Sequence, residues 1–128
     1  PPARIVLPQF KTFAGQSVLI AYNVAFDMKF LELKQEQSGV VFDNPVLDAL
    51  LLAIYLHKDA PDHSLNGMAR ALGVEIEGRH TALGDAMATA AVWVRLLDLL
   101  EAQGIRTFGE AARISTRMMK ERQLSSKF

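Results

Sequence analysis

The sequence predicts a helix-rich α/β domain on three observations. Ser17-Val18-Leu19-Ile20-Ala21 is a continuous apolar run bounded by turn signals, the pattern of a buried parallel strand. Several longer stretches carry apolar residues at helical spacing. The chain has 128 residues, half of them hydrophobic and 22% charged, enough for one packed domain and too few for two ordinary ones.

The elements follow in order. Residues 3–14 read as a short helix with Ile5, Phe10 and Phe13 as inward positions, broken at Gly15-Gln16. The strand at 17–21 comes next. Asn23 to about Gln37 reads as a helix, with Phe26, Phe30 and Leu33 on one face and Ser38-Gly39 at its end. Asn44-Pro45 marks a turn, and Val46-Leu47 is a second, short strand. A helix from Asp48 to about His57 follows, with Asp48 as its cap. Lys58 to Asp62 form a loop flanked by His57 and His63, read as solvated histidines. Ser64 caps a helix through Leu72, and Gly73 closes it in the left-handed region. Residues 74–82 form a loop. A long helix from Leu83 to about Gln103 carries the stripe Leu83, Met87, Ala90, Val94 and Leu97, with Trp93 beside it as a packing residue. Thr107-Phe108-Gly109-Glu110 is a capping box opening a last helix to about Arg122. One strand is convincing, and a lone strand leaves backbone groups unpaired. Further strands are expected from upstream or from another chain.

Composition excludes several classes. There is no cysteine, hence no disulfide or thiolate metal site, as a reducing cytoplasm permits. The longest apolar run, Ala49 to Leu56, falls short of the roughly 20 residues that span a bilayer. No secretory signal opens the sequence. A cytoplasmic protein without membrane contact is expected. The chain begins with Pro1 and reads as a piece of something longer. Residues 1–103 hold 8 Lys/Arg and 12 Asp/Glu, net −4; residues 104–128 hold 6 and 2, net +4. An acidic body suits divalent cations and a basic tail suits phosphate. Ordinary surface scatter explains the same numbers. Arg113, Arg117 and Lys120 form a basic stripe on the last helix, read as a solvated face. Ala111, Ile114 and Met118 offer an apolar docking face opposite.

Two motifs carry chemistry. Asn23 and Asp27 follow the carboxyl end of the strand at 17–21, where α/β sheets gather ligands. Their four-residue spacing places both on one helix face. Near a helix start, a carboxylate is favoured in its charged form, ready for a metal. His80 and Asp85 form the second pair, in His80-Thr81-Ala82-Leu83-Gly84-Asp85. Histidine can take a proton from water near neutral pH, and a carboxylate ligates hard cations. Read blandly, Asn23 is a helix cap, Asp27 a surface charge, His80 a loop histidine and Asp85 a first-turn charge.

Together these residues resemble the DEDDh 3′–5′ exonucleases, typified by the epsilon subunit of bacterial DNA polymerase III. The resemblance runs through Leu19-Ile20-Ala21-Tyr22-Asn23-Val24-Ala25-Phe26-Asp27, Val46-Leu47-Asp48-Ala49-Leu50 and His80 to Ala86, and spans roughly residues 5–100. It implies the helix-rich C-terminal portion of a ribonuclease H-like fold with its early strands missing. Residues 1–103 would be a partial exonuclease domain, and 104–128 a basic helix packed on it or extending from it. It also implies a two-metal hydrolysis using Mg²⁺ or Mn²⁺. Asp85 would be a direct metal ligand and Asp27 a ligand through water. His80 would be the general base, with Asn23 and Phe26 beside the terminal nucleotide. The partners implied are a single-stranded or frayed 3′ end of DNA and a polymerase subunit.

The sequence departs from the family pattern twice. Tyr22 stands where members often have histidine. No Asp is followed two positions later by Glu, so the Asp-x-Glu motif is absent from residues 1–128. Glu75-Ile76-Glu77 is the nearest imitation. Asp27 and Asp85 offer −2 against the +4 of two divalent ions, so the chain alone is expected to bind metal weakly and to be nearly inactive. A non-catalytic ribonuclease H-like binding or scaffold module is the alternative. A purely helical interaction domain is a third reading. An upstream strand bearing Asp-x-Glu would favour the enzyme; an initiator Met just before Pro1 would favour the module. An open edge at 17–21 and bare apolar surface predict self-association.

Overall fold

The computed structural model describes residues 3–23, 35–78 and 81–126. Its elements are helix α1 (Ala3–Ala14), strand β1 (Leu19–Ala21), helix α2 (Gln35–Ser38), strand β2 (Val46–Asp48) and helices α3 (Ala49–Leu56), α4 (Leu65–Ala71), α5 (Ala82–Ala102) and α6 (Phe108–Ser126). The expected helix-rich α/β class is what the chain adopts. The lone strand finds its partner within the chain. β1 and β2 pair in parallel, with Leu19 opposite Val46, Ile20 opposite Leu47 and Ala21 opposite Asp48. The Asn44 side-chain amide donates to the carbonyls of Gly15 and Ser17, both at 2.9 Å, and fixes the two strands' entry together.

α3 sits at the centre because it is apolar on nearly every side. It packs against α5, α6 and β1. Asp48 caps it, its side chain accepting from the Leu50 N–H. One core cluster joins Ala49 and Ala53 of α3 to Leu65, Met68 and Ala69 of α4 and Ala88, Val92 and Leu96 of α5. A second joins Leu47, Leu52, Leu100 and Ala111. Ile20, Leu56 and Trp93 pack against both. Each fully buried Leu contributes about 1.5–3 kcal/mol.

Capping sets the element boundaries as expected. The Gly67 N–H donates to Ser64 Oγ at the start of α4, and Gly73 ends that helix at φ +72°. The Glu110 N–H donates to Thr107 Oγ1, whose own hydroxyl donates to Glu110 Oε1 at 2.9 Å. That box opens α6, which runs four residues past the expected end. Ala111 and Met118 of α6 are buried and Ile114 packs beside them, so the apolar face docks onto the core through α3. The opposite face is solvated at Arg113 and Lys120, while the Arg117 guanidinium lies 5.4 Å from the Tyr55 ring centroid.

Three expectations of burial fail. Ile5, Phe10 and Phe13 of α1 are exposed, Phe13 at 87%. α1 packs on α2, and Phe10 meets the Phe42 ring at 5.6 Å, outside both core clusters. In α5 the stripe Leu83, Met87, Ala90, Val94 and Leu97 faces outward, Leu83 at 74% exposure. The buried stripe is Gly84, Ala88, Val92, Leu96 and Leu100. Gly84 and Ala88 lie one residue, or about 100° around the helix, from Leu83 and Met87, whereas Val92 and Leu96 lie two residues from Val94, on nearly the opposite side. Gly84 and Ala88 allow the close approach that Leu83 and Met87 would block. His57 and His63 are half-buried rather than solvated, because a His63 ring nitrogen meets the His57 carbonyl at 2.6 Å.

Asn23, expected as the first residue of a helix, is not itself helical. It lies at φ +69°, outside any helix, so the one-face spacing argument does not apply to it. The rest of the expected helix up to residue 34 lies outside the described residues, and Gln35–Ser38 is helical.

Candidate functional site

Parallel pairing brings the carboxyl ends of β1 and β2 to one level. Ala21, Tyr22 and Asn23 leave one strand there, and Asp48 ends the other. A cleft of about 620 Å³ opens beside them, lined by Ile20, Ala21, Tyr22, Leu65, Asp85, Ala86, Thr89, Ala90 and Trp93. The first turn of α5 thus faces the exit of β1 across a common space. Of the five residues singled out from sequence, Asp85 lines this cleft, and Asn23 stands exposed next to Tyr22 at its edge. Phe26, Asp27 and His80 lie outside the described residues.

Local hydrogen bonds hold each wall. The Asp85 N–H donates to the Thr81 carbonyl at 2.9 Å. Thr81 caps α5 by accepting from the Gly84 N–H at 2.9 Å, and its own hydroxyl donates to the Gly78 carbonyl at 2.6 Å. Gly84 must be glycine, because a Cβ there would collide with the Gly78 carbonyl and Thr81 Oγ1. On the opposite wall, the Tyr22 hydroxyl donates to the His63 carbonyl. Burial pushes the Tyr22 phenol well above its ordinary value, and the Asp48 and Asp62 carboxylates push the same way.

Asp48 ties the walls to the sheet. It is buried, and its Oδ1 accepts from the Asn23 N–H and the Leu50 N–H, both at 2.9 Å. Reading Asp48 as a helix cap found one bond and missed the other. Asn23 is distant in sequence, and only strand register brings it close. Tyr22 and Trp93 line the cleft and had no site role in the sequence reading. Tyr22 sat inside the first motif, which was its signal; Trp93 carried none beyond its helical stripe.

Metal-binding capacity among the described residues is small. No group of three or more His, Asp or Glu side chains stands close enough to hold an ion. Glu75 and Glu77 are exposed and border a different groove with Gly78 and Met87. The donors described here do not fit a two-ion centre. No helix among the described residues is long and apolar enough to cross a membrane.

Comparison with known proteins bears on this geometry. Residues 1–93 match the RNase T family model, described as Exonuclease. The chain is 48% identical over 103 residues to a DNA polymerase III subunit epsilon-like protein of Rhodobacter capsulatus, covering 79% of this chain and 15% of that protein. It is 36% identical over 105 residues to a DNA polymerase III PolC-type protein of Caldanaerobacter subterraneus subsp. tengcongensis, covering 82% and 8%. A PolC-type protein of Clostridium perfringens is 37% identical over 109 residues, covering 82% and 8%. The chain therefore spans 15% or less of the length of these relatives. Its helix-rich α/β architecture is ribonuclease H-like, and by sequence and fold it belongs to the exonuclease family.

Proposed function

We propose that this chain supplies one side of a DEDDh-type site that hydrolyses nucleotides from single-stranded or frayed 3′ ends of DNA. The observation carrying this reading is the shared cleft between Asp85 and the carboxyl end of β1. Family relatives named as DNA polymerase III proteins support DNA as the substrate and a polymerase as the partner. In this reading Asp85 is a metal ligand and Asp27 supports it through water. His80 removes the proton of the attacking water, a task suited to an imidazole near neutral pH. Asn23 and Phe26 lie beside the terminal nucleotide. The cations of the complete site are Mg²⁺ or Mn²⁺, and the carboxylates lacking here belong to an Asp-x-Glu pair that residues 1–128 do not contain.

The decisive experiment is 3′-end degradation of DNA by the full-length protein with and without Asp85→Ala. Loss of a metal ligand should lower the rate at least about a hundredfold. Unchanged activity would rule the assignment out. Calorimetry with Mn²⁺ on residues 1–128 should show only weak binding, since two divalent ions held by so little negative charge repel each other. The second reading is a non-catalytic binding module. That reading predicts a full-length protein that holds single-stranded DNA or a partner and leaves 3′ ends intact.

A further inference from the structure

The structure assigns Asp48 the role of positioning residue for Asn23, an assignment whose functional consequence rests on the exonuclease reading. Asp48 is the only buried charged or polar residue among the described residues, 6% exposed. It stands opposite Ala21, the last paired position of the sheet. Beyond that level β2 becomes α3, so no backbone carbonyl continues the ladder for the next amides of β1. The Asp48 carboxylate takes over. Its Oδ1 accepts from the Asn23 N–H at 2.9 Å while also capping α3 at the Leu50 N–H, again at 2.9 Å. Asn23 meanwhile lies at φ +69°, a region that costs a non-glycine residue energy and that Asn tolerates better than most. A charge-assisted bond on its own amide holds it there. One oxygen thus ties Asn23, at the carboxyl end of β1, to the start of α3.

Two substitutions separate this role from simple capping. Asp48→Asn keeps an oxygen in the same place. Asp48→Ser keeps a good helix cap with a side chain too short to reach Asn23. Amide hydrogen exchange of the 128-residue chain reads the two bonds directly, scaled to the core amide of Leu96. In Asp48→Ser the Asn23 amide should lose about tenfold or more of its protection while Leu50 keeps its own. Asp48→Asn should retain both. An Asn23 amide unaffected by Asp48→Ser, or one that falls only in step with Leu50 and Leu96, would overturn the assignment.

Activity of the full-length protein supplies the second arm, with Asp85→Ala as the reference. Asp48→Ser should lower kcat about tenfold to a hundredfold with KM little changed, as misplacement of reacting groups does. It should also raise the Mn²⁺ concentration needed for half-maximal rate, and Asp48→Asn should restore most of the loss. If Asp85→Ala abolishes activity while Asp48→Ser matches the unsubstituted protein, the positioning role fails and the exonuclease reading stands. If Asp85→Ala has no effect, the exonuclease reading fails and takes the functional half of this assignment with it.

Discussion

The two apolar faces of α5 differ in a way their hydrophobicity does not foretell. One face, Gly84, Ala88, Val92, Leu96 and Leu100, lies in the core. The other, Leu83, Met87, Val94 and Leu97, stands in solvent although its side chains are on average larger. Transfer from water alone would bury the larger stripe. Close packing decides otherwise. Ala88 packs in the core cluster with residues of α3 and α4, and Gly84 leaves room for the Gly78 carbonyl and the Thr81 hydroxyl. The outward face remains apolar and without a described partner, which is the property expected of a surface that meets another chain or segment.

The contrast can be broken most sharply at adjacent positions. Leu96 is 0% exposed and Leu97 is 44% exposed. Leu96→Ala should cost about 2–5 kcal/mol in denaturant unfolding, from lost transfer energy plus the cavity left behind. Leu97→Ala should cost about 0.5 kcal/mol or less. Equal losses would mean that the faces are not distinct.

Gly84→Ala ranks next. Its methyl group must displace the Gly78 carbonyl and the Thr81 hydroxyl, an overpacking penalty of about 1–3 kcal/mol. It should also disturb the Thr81 cap that precedes Asp85, so under the proposed function the thermal stability and the 3′-end activity of the full-length protein should fall together. A variant as stable as the parent would show that the turn yields freely.

The exposed face is tested by association rather than stability. Light scattering should detect self-association of the chain, and Leu83→Glu with Val94→Glu should return it toward monomer. A monomeric parent chain would count against a sticky outer face.

The smallest effect concerns the lid over the inner face. α6 covers Leu100 through Ala111, and its first turn is fixed by Glu110. The Thr107 hydroxyl and then the Arg106 N–H hold the Glu110 carboxyl below its ordinary value. Because the folded value is the lower one, this contribution is present above the ordinary Glu range and fades as pH falls through the folded value. Glu110→Gln should flatten the acid limb of the stability–pH curve by a small amount. An unaltered limb would show that the box contributes nothing to it.

Much of the framework was legible in local signals. Ser64, Gly73 and the Thr107–Glu110 box name helix ends because caps and left-handed turns depend on few neighbouring residues. The run at 17–21 was legible because a buried parallel strand is apolar throughout. What failed was the choice between faces. In α5, apolar residues recur on more than one side, and which side is covered depends on partners distant in sequence; in α1 they gather largely on one side, and Phe10 and Phe13 there are exposed. The site was half legible for the same reason. Asp85, singled out by its motif, lines the cleft, while the bond from Asn23 to Asp48 exists only because Ala21 and Asp48 share a register. His57 and His63 looked like open-loop residues, since nothing local announces that one caps the other's carbonyl.

The Tyr22 hydroxyl gives the cleft a built-in optical gauge. With its proton engaged by the His63 carbonyl and its ionisation driven upward, this ring resists ionisation in alkali while the wall stands. Opening of the wall would ease its ionisation. By linkage, a raised phenol supports the fold below its ordinary value near 10 and withdraws that support as alkalinity rises past it. With Tyr55→Phe leaving Tyr22 as the sole tyrosine, absorbance could therefore follow the integrity of the cleft without any label.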